Sequence, residues 1–399
     1  MRSIFRVAWL SSVRQPGRTG LGILGVVAVG ALLFDMLLLS RGLVLSFRDL
    51  LDRIGFDVRV LATDATPLTG PPLERATATA AAIAALPEVE AVLPIRVRDA
   101  ELAADRTARL QFIGADPQAK PMWTLVDGRD LVDARATDAP LLVNRNLAAS
   151  ARLSIGSTLL LRGVCGEDRD ATPPVTFLVT GIAEFPFDDR SATTAAGRLG
   201  DLRRLCGDRD EDRADMLLVR SSPRAGSDAA AERIRALLPE LHTVTNDEIV
   251  LRFSHVEFSY FEQISFVLAT VTLFFGFLLI TVLLTVSVNQ RLGEIAALRA
   301  IGLSRLRVMV GVLCESVLVV GAGGVLAIPV GGVLSLWLDG ILRALPGIPL
   351  SVSFFVFEPH TLVTYAWLLA VAAMGAAIYP MRIVGALPIA ATLRREVVS

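Results

Sequence analysis

The chain has 399 residues, of which 53% are hydrophobic and 20% charged, with a formal net charge of −1, and its mean hydropathy is +0.56. That balance is too apolar for an ordinary soluble domain and too charged for a protein made of membrane spans alone. It also lacks the basic excess that nucleic-acid binding requires. In chain order, four apolar runs stand out, at 21–40, 264–288, 308–337 and 362–379. Each approaches or exceeds the ~20 residues needed to cross a hydrocarbon core of ~30 Å. The third contains Gly321, Gly323, Gly324, Pro329, Gly331 and Gly332, and is expected to bend or to end near Trp337.

Arginines in the short segments orient these runs. Arg2, Arg6, Arg14 and Arg18 precede the first, Arg291, Arg299, Arg305 and Arg307 separate the second from the third, and Arg382, Arg394 and Arg395 follow the fourth, whereas the loop between the third and fourth holds only Arg343. The positive-inside rule then places both termini and the 289–307 turn in the cytoplasm, and 41–262 and 338–361 outside. No small-residue cleavage site follows the first run, so it reads as an uncleaved anchor. The expected fold is an α-helical membrane domain of four transmembrane helices plus a mixed α/β extracytoplasmic domain on helical stalks. Its expected parts are 1–40 (cytoplasmic N-terminus and first span), 41–262 (outer domain with stalks) and 263–399 (the last three spans).

Within the outer segment, 42–54 continues the first span with Leu43, Phe47, Leu50, Leu51 and Ile54 at helical spacing, which predicts a stalk leaving the bilayer. Residues 247–261, without Gly or Pro, predict a second stalk leading back in. Between them, 57–61, 89–97, 107–113, 141–143, 158–162, 175–182, 216–219 and 242–245 read as strands, and 72–86, 146–153 and 228–238 as helices. The polar stretches 163–174 and 186–213 read as loops or insertions.

The chemistry of the chain is mostly defined by what it lacks. The single lysine, Lys120, lies in GADPQAKP, so no G-x-x-x-x-G-K-[ST] phosphate loop exists and the chain is not expected to bind and hydrolyse ATP in that manner. His242, His255 and His360 are isolated from one another and from any cysteine pair, so neither a catalytic centre nor a metal site is expected. Cys165 and Cys206 both fall in the outer segment and are read either as a disulfide or as two free thiols, while Cys314 sits in the third span.

The segment 289–315, NQRLGEIAALRAIGLSRLRVMVGVLCE, is a charged turn between two spans. Leu292, Ile295, Leu298 and Ile301 form an apolar ridge suited to a groove on a partner, with Arg291, Glu294 and Arg299 setting the register. Gly302 permits a sharp turn and Ser304 can cap the next helix. The plainer reading is a solvated basic turn that obeys the positive-inside rule. Arg291, Glu294, Leu298, Arg299, Ala300, Gly302 and Glu315, in the frame R-x-x-E-I-x-x-L-R-A-x-G…E, resemble the membrane signature of MacB/FtsX-type ABC transporter permeases. The order of one span, a large outer domain and three spans is similar to that family. So is the tail with Pro380, Arg382, Pro388, Leu393 and Arg394. GRDL at 128–131, LSIGSTLLL at 153–161 and FLVTGI at 177–182 resemble the MacB-like periplasmic core domain.

The resemblance implies a permease subunit in the bacterial inner membrane, working as a homodimer or as a heterodimer with a sibling permease. It would be bound to a cytoplasmic ABC ATPase that holds the ATP and Mg, with no cofactor in this chain. A periplasmic adaptor and an outer-membrane channel are further implied partners. Arg291, Glu294, Ile295, Leu298, Arg299, Ile301 and Gly302 become the ATPase-coupling residues. The implied work is export or extraction of a lipid, lipoprotein, peptide or drug-like substrate by mechanotransmission. The alternative is an FtsX-like regulatory membrane protein that activates a cell-wall hydrolase. Two acids lie within spans, where charge is costly: Glu315 is expected to face other helices, and Asp35 either to serve a function or to reach the interface near Arg41.

Overall fold

The computed structural model describes residues 16–65, 70–116, 121–135, 139–165, 172–207, 212–256, 259–290, 292–300 and 304–386. Two compact units result. An outer unit comprises Val44–Glu257 and Leu342–Ser353, and a membrane unit comprises Met1–Leu43, Phe258–Ile341 and Phe354–Ser399.

The first helix, α1 (Pro16–Ile54), is unbroken for 39 residues, about 58 Å at 1.5 Å per residue. It ends where Gly55 takes φ 76°, a left-handed conformation glycine adopts freely. The outer unit then lays down β1 (Val58–Leu61), β2 (Leu73–Glu74), α2 (Ala76–Ala84), β3 (Val89–Leu102), β4 (Asp105–Ala115), β5 (Thr124–Gly128), β6 (Pro140–Val143), α3 (Arg145–Ser150), β7 (Thr158–Val164), β8 (Val175–Glu184), β9 (Thr194–Gly197), α4 (Leu199–Cys206), β10 (Arg213–Ala214), β11 (Met216–Ser221), α5 (Gly226–Leu237), β12 (His242–Thr245) and α6 (Asn246–Val256). Ten strands form one mixed sheet in the order β12-β1-β11-β3-β4-β9-β6-β8-β5, with β7 paired to β3 and β8. β1, β11 and β3 run antiparallel, with Val58 opposite Val219 and Leu218 opposite Leu93. The parallel pairs are β4 with β9 and β6 with β8.

Three apolar clusters hold this unit together. Val58, Val60, Val219, Ile83 and Ile234 unite the β1–β11 end with α2 and α5. Phe112, Phe177, Leu161, Leu141 and Leu202 fill the other end, where the rings of Phe112 and Phe177 stand 5.3 Å apart. A third cluster brings Leu51 and Ile54 of α1 and Ile249 and Val250 of α6 against Leu93, Ile113, Trp123, Phe185 and Leu218.

The stretch 186–213, read above as loop, corrects the sequence expectation, because it contains β9 and α4. All four residues of β9, TAAG, are buried. They are too short and too small to give a strand periodicity, and pairing with β4 and β6 supplies the order that propensity does not. In α4, Leu199, Leu202 and Leu205 are buried on one face of an otherwise charged sequence.

The membrane unit adds α7 (Ser259–Gln290), α8 (Leu292–Ala300), α9 (Arg305–Leu342) and α10 (Pro359–Ala386) to the first half of α1. Among the described residues four helices, α1, α7, α9 and α10, are long and apolar enough to cross a bilayer. α9 also corrects an expectation. It does not end near Trp337 but continues as one helix through Pro329 to Leu342. Packed neighbours let a spanning helix carry an internal proline. The second stalk is α6 followed by α7, and residues 257–258 between them lie outside the described residues.

Candidate functional site

In the outer unit, apolar and polar contacts fasten the ends of α1 and α6 to the sheet. The rings of Phe47 on α1 and Phe253 on α6 lie 5.2 Å apart, and Arg48 pairs with Asp247 at 2.6 Å. Exposed as it is, that ion pair contributes little on its own. The neighbouring polar contacts are buried or partly buried. Asn246 opens α6, its amide Nδ2 donating to Asp52 Oδ1 and to Phe56 O, both at 3.2 Å, and its backbone N–H donating to Asp57 O at 2.8 Å. The Arg59 guanidinium donates to Asn246 Oδ1. Burial lowers the Arg59 pKa to about 10, against the pull of Asp57 and Asp52. Arg220 donates from Nε to Gly55 O at 2.6 Å and lies over the Phe56 ring. Asp57 accepts from the Ser221 backbone N–H at 2.8 Å. The two stalk ends are thus fastened to one another and to β1 and β11 by apolar and polar contacts together.

None of Asp52, Arg59, Arg220 and Asn246 was singled out from the sequence. The available signals were an arginine inside the apolar strand VRVL, and an Asn followed by two acids at the start of a helix.

In the membrane unit the helices approach along small residues. On α9, Gly323, Ala327, Gly331 and Ser335 recur every fourth residue and face α1. A Cβ at Gly323 would lie 2.6 Å from the Val26 side chain, and one at Gly30 would lie 2.8 Å from Ala327. At Gly331 the nearest atoms are Phe34 Cδ1 at 3.0 Å and Ala31 O at 3.2 Å. Small residues at this spacing let helix backbones close on one another in lipid.

Asp35 continues this seam. It is 0% exposed and accepts a hydrogen bond from the Ser335 hydroxyl. Asp35 is therefore packed between helices and does not reach out toward Arg41 as expected above. Four residues beyond Ser335, Asp339 accepts from the Phe354 N–H at 2.8 Å. Glu315 Oε1 accepts from the Ser287 hydroxyl at 3.0 Å. The two residues share a cavity of about 40 Å³ with Thr19, Gly22 and Ser316, large enough for a water molecule.

The 289–315 segment is helical over α8. Ile295 is 8% exposed and packs with Val288, flanked by Leu292, Val308, Met309, Met381 and Ile383. Part of the ridge assigned above to a partner groove is therefore occupied by the chain's own helices, because an apolar side chain at the base of the bundle gains as much by packing there. Arg299 is half-buried. Glu294 and Leu298 lie on the same helix, and Arg291, Ile301 and Gly302 fall outside the described residues. Cys165 and Cys206 are joined by a disulfide with their Cα atoms 5.4 Å apart, linking the end of β7 to the end of α4. Cys314 is free. Among the described residues no group of His, Cys, Asp and Glu could hold a metal ion.

The outer sheet on helical stalks and the four apolar helices define a multi-pass membrane protein of the permease class. Residues 19–237 match the MacB-like periplasmic core domain, and residues 266–392 match the FtsX-like permease C-terminal domain. The chain belongs to the MacB/FtsX-type ABC transporter permeases. Among solved structures it is similar to the periplasmic region of MacB from Actinobacillus actinomycetemcomitans, at 11% identity over 51% of this chain and 95% of that one, with a TM-score of 0.39. It is also similar to the extracellular domain of the noncanonic ABC-type transporter YknZ from Gram-positive bacteria, at 11% identity over 47% and 98%, with a TM-score of 0.32. No curated protein matches the chain. Membership of the family implies an ABC ATPase as partner.

Proposed function

We propose that this permease works as a dimer in the bacterial inner membrane, with both termini cytoplasmic. In this reading an ATPase subunit bound at 289–302 drives movement of the outer domain rather than opening an aqueous pore. The observation that carries it is α1. One continuous helix supplies a membrane span and then buries Leu51 and Ile54 in the core of the outer unit. A helix held at its far end by a packed core moves with it, so displacement of the span becomes displacement of the sheet. The buried contacts of Arg59 and Asn246 favour rigid transmission over a hinge at Gly55.

The cargo class that suits such a machine is one handled outside the bilayer core: a lipid, lipoprotein, peptide or drug-like molecule, passed on to an adaptor and outer-membrane channel. Among the described residues, Asp35 with Ser335 and Glu315 with Ser287 hydrogen-bond one helix to another, which supports a role in packing and work outside the membrane over passage through it.

The test is on the coupling segment. With Leu298→Asp, the ATPase subunit is expected not to co-purify, while insertion and yield of the permease stay unchanged, because a charge replaces an apolar contact at the partner surface. Co-purification at the wild-type level would remove the coupling assignment.

A further inference from the structure

The segment between α9 and α10 belongs to the outer unit, since Leu342–Ser353 clusters with Val44–Glu257 and not with the helices on either side of it. Four hydrogen bonds account for this. The Gly347 N–H donates to Asp189 Oδ2 at 2.6 Å. The Leu350 N–H donates to Asp188 O at 2.9 Å. The Ser351 hydroxyl donates to Pro186 O at 2.8 Å, and the Ser353 N–H donates to Ser46 Oγ, on α1, at 2.6 Å. Val352 is buried at 4% exposure.

The loop receiving these bonds is itself fixed to the sheet. Asp188 accepts from Asn144 Nδ2 and from the Thr194 hydroxyl of β9, both at 2.6 Å. Asn144 in turn caps α3 by accepting from the Leu147 N–H. Asp189 divides its two oxygens: Oδ1 accepts from the Ser191 N–H, the Ser191 hydroxyl and the Ala192 N–H, which hold its own turn, and Oδ2 takes the strap.

We infer that 342–353 is a third tether between the membrane helices and the outer domain, in addition to the two stalks, and that Asp189 is the positioning residue that fastens it. Covalently the segment continues α9 and leads into α10, the two spans that have no stalk. Their displacement would reach the sheet through Asp189, Asp188, Asn144 and Thr194, at a place other than the stalk junction. The Asp189 carboxyl is held below its usual range, chiefly by the bond from Gly347, in keeping with an ionised oxygen turned to the strap. Use of the tether as a transmission path rests on the mechanotransmission reading above, whereas its docking does not.

Asp189→Asn separates the two jobs of this side chain. The amide oxygen stays with the three donors of the turn, which leaves Nδ2 facing the Gly347 N–H, donor against donor. In the full chain in lipid nanodiscs, hydrogen–deuterium exchange at Gly347 is expected to be at least about tenfold faster in Asp189→Asn than in wild type. Ser191 and Ala192 should remain as protected as before, whereas Asp189→Ala should release both sites. With the ATPase subunit and ATP present, the nucleotide-driven displacement of the outer domain, read from spin-label distances, should shrink in Asp189→Asn. An unprotected Gly347 in wild type, or equal protection in the variant, overturns the docking. Faster exchange with an undiminished displacement overturns the tether as a transmission path. If wild type shows no nucleotide-driven displacement at all, it is the proposed function that fails, and the exchange data still decide whether the strap is docked.

Discussion

The outer and membrane units distribute the same residue types in opposite ways. In the outer unit large apolar side chains are inside: Phe112, Phe177 and Leu161 are completely buried. In the membrane unit many large side chains face outward, with Phe266 72%, Leu336 76% and Trp367 65% exposed, and close contacts between helices are made by small residues such as Gly323, Gly331 and Ser335 or by the buried Asp35. Water drives apolar groups together in the first case. In the second the surroundings are already apolar, so burial of a leucine gains little and close backbone approach with polar contacts decides which helices meet.

The largest effect that would sharpen this contrast is expected at Phe177. Phe177→Ala should destabilise the outer unit by about 3–5 kcal/mol, the cost of a cavity at a fully buried aromatic position, measured as a fall in thermal stability of the full chain in nanodiscs. A change below about 1 kcal/mol would mean that this core collapses around the gap.

Next comes the seam. Gly323→Leu forces a side chain against Val26, where even a Cβ would be at 2.6 Å. It should cost about 1–3 kcal/mol, whereas Leu336→Ala, on the outward face, should stay within about 0.5 kcal/mol. Equal losses from the two would show that the outward face is covered by protein and not by lipid.

The smallest effect is a pH dependence of the strap. The folded-state pKa of Asp189 is lowered, first by the Gly347 bond, so its contribution is present above its ordinary value of 3.8 and is lost as pH falls below it. The neighbouring Asp188 is shifted the other way by burial, which penalises its charged form, so that cost to the folded state is relieved as pH falls and the carboxyl is protonated. The two oppose each other in global stability. The signal should therefore be local: protection of Gly347, corrected for intrinsic exchange, is expected to drop below about pH 4, while protection of β8 holds. A loss of protection shared equally by β8 would indicate general acid unfolding instead.

The contrast also explains what could be read from the residues alone. Spans are long runs of one character, so all four were visible, and the helical stripe of Leu50, Leu51 and Ile54 announced the outgoing stalk. Alternation revealed β7, whose residues are buried at every second position. β9 was invisible because TAAG carries no pattern and owes its place to β4 and β6. The coupling ridge was legible as an apolar stripe, but a stripe does not say whose groove it fills, and Ile295 turned inward. Asp35 was legible as an unusual residue, and its partner Ser335, 300 positions away, was not. The stalk junction, built around Arg59 and Asn246, depends on contacts across 187 positions, so the arginine within VRVL and the Asn before two acids were visible but their partners were not.

The Cys165–Cys206 bridge has a consequence for biogenesis. A disulfide persists only in an oxidising compartment, so the redox state of this pair records which side of the membrane the outer domain has reached. A chain inserted the wrong way round would keep both thiols reduced and would be two hydrogens heavier than a correctly inserted one. The bond thus works as a chemical stamp of orientation, legible by mass on single preparations without any engineered reporter.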